Sequence, residues 1–374
     1  MHARGSLGAF RQSFRDHRVD RSSVLFAAVT ACVPRALPRF SIRLDSPVFT
    51  VRTMKGATIL WTAPFLLAAI QAVMCANTTN SLDPKSFFAD IDGNLTKIVW
   101  AHAVNNQTLL RDALDSDKVM MLEADVVMGK VNASEKTEIP VMAHPPTNTS
   151  DLSLEMFLKT VTEKKNATKG VKLDFKSDEA FKAGKPILEK LANDIAFPVI
   201  LNADILEGPV NANTTKPLNA KEFLKEAKSL TNYTLSVGWT TRYGAADNIT
   251  EGSYTEEQVK NMLDTLKNEN VPQAVSYAVR AGLAAGNTSV IESLMKGSPN
   301  SSTLTIWSHE GDNVNATVLS QLIKDVGVKN VYVDVPEELM KELNLHSGAS
   351  SISLGSTMTA VVLSTLLSTF IRRV

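Results

Sequence analysis

The chain has 374 residues, 44% apolar and 21% charged, the composition of an ordinary globular protein. Its net charge of zero hides an uneven spread: residues 1–53 hold nine Arg against three Asp, whereas residues 77–347 carry 27 Lys+Arg against 36 Asp+Glu. An acidic region of this kind has no basic footprint for a phosphate backbone, which excludes nucleic acid as a partner. Both cysteines, Cys32 and Cys75, precede that region, so it must hold together through its core without disulfides.

The first readable element is a targeting segment. Residues 54–76 read MKGATILWTAPFLLAAIQAVMCA: Lys55 supplies a basic n-region, 59–73 an apolar h-region, and Val73 with Cys75 (or Met74 with Ala76) frames a cleavage site. Left uncleaved, the same segment would be a signal anchor. An Arg-rich stretch does not belong ahead of a cleavable signal, so translation is expected to start at Met54 and residues 1–53 to be a non-structural extension.

At the other end, the small residues Ser347-Gly348-Ala349 precede a polar spacer and an apolar tail over 359–371, the layout of a glycosylphosphatidylinositol signal. The tail falls short of the roughly 20 apolar residues of a membrane span. Arg372 and Arg373 would suit a cytoplasmic stop, so a single-pass anchor is the competing reading. Either one attaches the C-terminus to the outer face of a membrane. The expected division is an extension (1–53), a signal peptide (54–76), one folded domain (77–347) and an attachment signal (348–374).

Within the folded region, N-x-[ST] sequons begin at Asn77, Asn94, Asn106, Asn132, Asn148, Asn166, Asn213, Asn232, Asn248, Asn287, Asn300 and Asn315, 12 of the chain's 24 asparagines. Chance would supply about four, so the excess points to the secretory pathway and to N-glycans as surface modifications. Asn106 stands apart from the others. It follows His102 closely enough to lie on the rim of any pocket there, where a working enzyme would keep it unglycosylated or turned away.

Short β-branched and apolar runs alternate with amphipathic stretches. The runs are 97–102 (KIVWAH), 119–125 (VMMLEAD), 170–176 (GVKLDFK), 198–204 (PVILNAD), 234–239 (TLSVGW), 273–280 (QAVSYAVR), 302–307 (STLTIW) and 330–334 (NVYVD). A ninth, 139–144 (IPVMAH), follows the second so closely that it reads as a hairpin insertion. Helices are expected over 153–164, 178–191, 219–230, 255–268 and 317–326. The alternation predicts an α/β protein with a parallel sheet covered by helices, and eight units fit a single closed (β/α)8 TIM barrel. The open doubly wound alternative lacks a glycine-rich turn after its first strand.

Active sites of such barrels form at the C-terminal strand ends, and those ends are polar here. His102 ends the first strand, Glu123 and Asp125 the second, His144 the hairpin, Lys172, Asp174 and Lys176 the third barrel strand, Asn202 and Asp204 the fourth, and Arg280 the sixth. Alone, each has a bland explanation, such as a satisfied core histidine or a structural ion pair. Together they form a chemical set. Three carboxylates suit a hard divalent cation, Mg²⁺ before Ca²⁺. Two histidines offer a general base and a general acid. Lys172, Lys176 and Arg280 can hold an anionic group. Metal-assisted cleavage of a phosphodiester needs these parts.

The stretches WAHAVNN, LEADV, MAHPP, GVKLDFKS, LNADILEGP, LSVGWTT and LTIWS resemble the menorin family of secreted or membrane-attached animal proteins. That family is in turn similar to the phospholipase-C-like phosphodiesterase barrels, among them glycerophosphodiester phosphodiesterases and sphingomyelinase D toxins. The resemblance implies that Glu123, Asp125 and Asp174 bind Mg²⁺, that His102 and His144 do the acid–base work in either order, and that Lys176 stabilises charge on the phosphoryl oxygens. It also implies departures: Ala103-Val104 stands where the glycerophosphodiesterases have Arg-Gly after their first His, so phosphate recognition is rebuilt or missing. Lys172, Asn202, Asp204 and Arg280 are the candidates to contact substrate. Two functions follow from different classes. One is an extracellular phosphodiesterase acting on a glycerophosphodiester or lysophospholipid head group. The other is a catalytically silent cell-surface ligand or co-receptor, with a cell-surface protein as partner and a role in neuronal or tissue patterning.

Overall fold

In a computed structural model of the chain, the described residues are 82–345, apart from 165–167, 214, 272, 274 and 300, together with three short strands between residues 41 and 62. The expected cleavage site, the C-terminal attachment signal and the sequons at Asn77, Asn166 and Asn300 lie outside them. The chain divides into two units, Met1–Thr79 and Asn80–Val374. In the first, Ser41–Arg43, Val48–Arg52 and Thr58–Thr62 form an antiparallel three-stranded sheet, so strand structure enters a stretch expected to be non-structural, and the h-region starts within a strand.

The second unit is a nearly closed eight-stranded parallel barrel. Its strands are β1 (Trp100–Ala101), β2 (Met121–Gly129), β4 (Gly170–Phe175), β5 (Val199–Glu207), β6 (Thr234–Thr240), β7 (Val275–Arg280), β8 (Thr303–Trp307) and β9 (Val331–Asp334). Neighbours follow chain order, with β3 (Ile139–Met142) pairing antiparallel to β2 as the expected hairpin. The seam between β1 and β9 closes without a strand ladder. The Leu95 amide donates to the Val328 carbonyl at 3.0 Å, and Trp100 meets Tyr332 edge-to-face with centroids 6.0 Å apart.

The first strand is shorter than the sequence implies, because Asn94 takes the Thr96 amide and winds Leu95–Lys97 into a 3-10 turn. The five expected helices form within a few residues, as Leu154–Glu163, Asp178–Leu191, Ala220–Ala227, Glu256–Glu269 and Ala316–Val326. Helices Gln107–Asp115, Ala281–Gly286 and Thr288–Gly297 escaped the periodicity argument. Six of the helices begin at a side chain that caps a free amide: Asn106, Ser153, Ser177, Asn219, Thr255 and Asn315. These caps turn each chain segment sharply from the barrel mouth into its covering helix.

Strand alternation builds the interior in layers. Val171, Leu173 and Phe175 face outward into the helix-covered core. Met121, Ile200 and Tyr332 face inward at the N-terminal end and pack with Phe88, Ile91 and Leu95, which plug that end. Two residues further along each strand the inward positions turn polar, and this polar layer is the floor of the mouth.

Candidate active site

Register alone brings the polar residues together. Glu123 pairs with Lys172, and Asp125, Asp174, Asn202 and Ser236 form one row across four adjacent strands. All lie on the inward face because the side-chain period of a strand is two. One oxygen each of Glu123, Asp125 and Asp174 lies within 4.8 Å of the others, although Glu123 and Asp125 are nearly fully buried. Carboxylates this close repel unless protonated, paired or bound to a cation.

Each carboxylate is held. Asn105 clamps Asp125 reciprocally, its Nδ2 donating to Oδ2 at 2.8 Å while the Asp125 amide donates to Asn105 Oδ1 at 2.9 Å. The Ala103 amide donates to Glu123 Oε2 at 2.9 Å, an approach made by the left-handed backbone at Ala103 (φ 53°). Asn202 donates to Asp174 Oδ1 at 2.7 Å and accepts from Ser236 Oγ at 2.6 Å. Lys176 Nζ bridges Asp174 (2.5 Å) and Asp125 (2.9 Å). Asp204 reaches the same end of the barrel only because its neighbour is Gly238, where a Cβ would fall 2.5 Å from Asp204 Oδ1.

The electrostatics follow from burial. Burial and then the charge of Asp125 push Glu123 up to about 7, and burial with the charge of Asp174 pushes Asp204 up to about 7. Asp174 goes the other way: burial opposes its charge, but Lys176 and Lys172 outweigh it and hold the carboxyl low. A carboxyl with a raised folded pKa stabilises the fold below its unfolded value and loses that contribution as pH rises through the folded one. In chelator, the melting temperature is therefore expected to fall between about pH 4.5 and 7, and Glu123→Gln should flatten that slope. Thermal melts across pH check this; a melting temperature that rises through the window would contradict it.

His102 stands half-exposed at the mouth, its Nδ1 3.2 Å from Asp334 Oδ2 and 3.7 Å from Glu123 Oε2. Burial opposes its charge, but the Asp334 bond and the Glu123 carboxylate prevail and lift it to about 9. His144 is exposed, with Nδ1 2.7 Å from the Pro145 carbonyl. It directly follows Ala143, whose amide donates to the Asp125 carbonyl at 3.1 Å, so the hairpin ends beside the carboxylates while the ring bonds to its own loop. Lys172 is buried and makes no ion pair among the described residues, so its ammonium remains available.

Arg280 is placed differently from the expected anion holder. Its Nε and Nη2 each donate to Asp312 at 2.8 Å, and both side chains are almost fully buried. Nη1 lies 3.4 Å from Thr241 Oγ1, and Nη2 also stands 3.4 Å from His309 Nδ1. Sequence reasoning named neither Asn105 nor Asp312, nor His309, whose ring lies 6.4 Å from that of His102. Asp334 was visible as the end of the last strand, but nothing in its position alone showed that the seam between β1 and β9 would set it against His102.

A model of the Menorin N-terminal domain matches residues 94–340, the span of the whole barrel. The chain belongs to the menorin family. Human protein FAM151B is 37% identical to it over 242 residues, which is 64% of this chain and 83% of that relative. Among solved structures, the Ignisphaera aggregans GH53 catalytic domain shares 10% identity at a TM-score of 0.38, covering 65% of this chain and 84% of its own. A dipeptide epimerase from Enterococcus faecalis V583 shares 13% at 0.37, covering 80% and 88%. Likenesses this distant carry no argument about chemistry. The menorin barrel described above rests on its own strand register.

Proposed function

We propose that this menorin-family barrel is an extracellular, metal-dependent phosphodiesterase acting on a glycerophosphodiester or lysophospholipid-type head group. The observation that carries the reading is the convergence of Glu123, Asp125 and Asp174 within 4.8 Å beside the solvent-facing His102. The donors fit a hard cation: they are carboxylate oxygens without cysteine, and their spacing is near that across the coordination shell of Mg²⁺ or Ca²⁺. Bound there, the cation would supply Lewis-acid polarisation of a phosphoryl oxygen.

The chain's own residues do the rest. Asn105, Asn202 and the Ala103 amide fix the carboxylates before substrate arrives. Lys176 limits their repulsion, and Lys172 offers its free ammonium to the phosphoryl oxygens. Asp334 fixes the His102 ring so that its far edge faces solvent, where it can move a proton to or from substrate. His144 lies two residues beyond the β2–β3 ladder and reaches substrate by turning from its loop. Asn106 Oδ1 accepts the Leu109 amide at 2.8 Å, so its side chain is committed to the helix start.

Surface glycans and membrane attachment belong to the same reading. The described sequon asparagines all keep solvent exposure, Asn132, Asn148, Asn213, Asn232, Asn248 and Asn315 most of all. Phosphatidylinositol-specific phospholipase is expected to release the protein from cells; retention with Arg372 and Arg373 still present by mass spectrometry would favour a single-pass anchor. The metal centre is tested by calorimetry. Mg²⁺ or Ca²⁺ should bind wild type, and binding should vanish in Asp125→Asn; a cation that binds both equally would remove the basis for the proposal.

A further inference from the structure

The fully exposed sequon asparagines are not spread evenly over the barrel. Among the described residues they are Asn132, Asn148, Asn213, Asn232, Asn248 and Asn315. Five of the six sit in segments that lead away from the mouth-side strand ends, after β2, β3, β5, β6 and β8; only Asn232, between helix Ala220–Ala227 and β6, sits at the opposite end. Strand β3 runs antiparallel, but the Asn148 carbonyl accepts the Lys130 amide at 2.9 Å, one residue past β2, and so stays at the mouth. The carbonyl of Ala212, next to Asn213, accepts Thr240 Oγ1 at the end of β6 at 3.2 Å. Asn313 donates to the Thr250 carbonyl at 3.1 Å, which joins the loops that carry Asn248 and Asn315. Asn315 caps its helix through Oδ1, so Nδ2, the atom that takes a glycan, stays free. N-glycans are bulky and hydrophilic. Attached at these five positions they stand around the mouth.

The same end is unsuited to a bilayer in other respects. The exposed large apolar side chains among the described residues are Val99, Leu109 and Met156, and none lies in a loop bordering the mouth. Surfaces that work within a membrane interface bury such side chains in it. Residues 77–347 carry 27 Lys+Arg against 36 Asp+Glu, a balance that an anionic bilayer surface repels. Glu123 and Asp125 are 2% and 4% exposed on the floor, so a phosphodiester must leave the plane of a head-group layer to reach them.

We propose that N-glycans ring this mouth and hold it off the bilayer, so that the substrate is a phosphodiester entering from water with no acyl chain anchored in a membrane. The inference rests on the phosphodiesterase reading and narrows it, selecting the soluble glycerophosphodiester over a membrane-held lysophospholipid. Asn106 is only half-exposed and is not needed for the ring.

The test uses the full chain, made in secretory cells that leave its glycans high-mannose, in Mg²⁺. Its substrates are a soluble glycerophosphodiester and the lysophospholipid of the same head group held in phosphatidylcholine vesicles. Wild type should cleave the soluble ester several-fold faster. An endoglycosidase that trims each N-glycan to its first sugar alters no side chain. Trimming should raise the vesicle rate several-fold and leave the soluble rate in place, and Asn232→Gln, at the opposite end, should change neither. Equal rates on the two substrates before trimming would overturn the proposal. So would a vesicle rate that trimming does not raise, or glycopeptide mass spectrometry that finds the five asparagines bare. A wild type inert on both substrates, trimmed and untrimmed, would instead sink the phosphodiesterase reading, and this inference with it.

Discussion

Arg280→Met is expected to destabilise the barrel by about 3–5 kcal/mol, the cost of breaking a buried pair from one side. The Asp312 side chain is only 2% exposed, so losing Arg280 would leave its carboxyl group buried with only the His309 amide, 3.2 Å away, still donating to it among the described residues. Arg280→Lys should recover little, because an ammonium cannot reproduce two parallel bonds. The surroundings leave no room for adjustment: a Cβ on Gly244 (φ 84°) would already clash with Asp312 Oδ1. Arg280→Met combined with Asp312→Leu should be much less damaging than Arg280→Met alone, since an apolar replacement leaves no stranded charge. Urea unfolding of the four proteins measures this. If Arg280→Met costs under about 1 kcal/mol, the pair is no stronger than a surface one, and something else holds the loop.

His102→Ala is expected to lower kcat by about 10²–10⁴-fold, the usual consequence of losing a positioned acid or base. The side chain is 44% exposed and, among the described residues, bonds only Asp334 at 3.2 Å, so the fold should tolerate its removal. That separation between activity and stability marks a functional group. Asp334→Asn keeps an oxygen acceptor for the ring and should retain more activity than Asp334→Ala. If His102→Ala turned over substrate at the wild-type rate, proton transfer at this mouth would have to lie elsewhere.

Much of this was legible in the sequence, for reasons rooted in strand geometry. The runs around Lys172 and Asp174, and around Glu123 and Asp125, alternate apolar and polar residues, so the polar face could be read directly, and parallel neighbours bring such faces into register. The β3 hairpin was legible because its run followed β2 too closely for a crossover. Other features depend on contacts remote in sequence. Arg280 looked like a free cation at a strand end; its partner, Asp312, lies in a loop with no periodic pattern. His309 sits in the same loop. The β1–β9 seam depends on Trp100 meeting Tyr332 across 6.0 Å, and no local propensity encodes that meeting. Helix Gln107–Asp115 was missed because its periodic run is short and Asn106 reads first as a sequon, although it is also the N-cap.

The central claim is that the carboxylate cluster and His102 together cleave phosphodiesters. Its most direct test is release of a phosphomonoester or free head group when the purified ectodomain meets a panel of glycerophosphodiesters and lysophospholipids. Wild type should be active in Mg²⁺ and silent in chelator, and Asp125→Asn and His102→Ala should each stay near background while melting cooperatively like wild type. A wild type as inert as both variants, or one whose activity ignores chelator, would contradict the account.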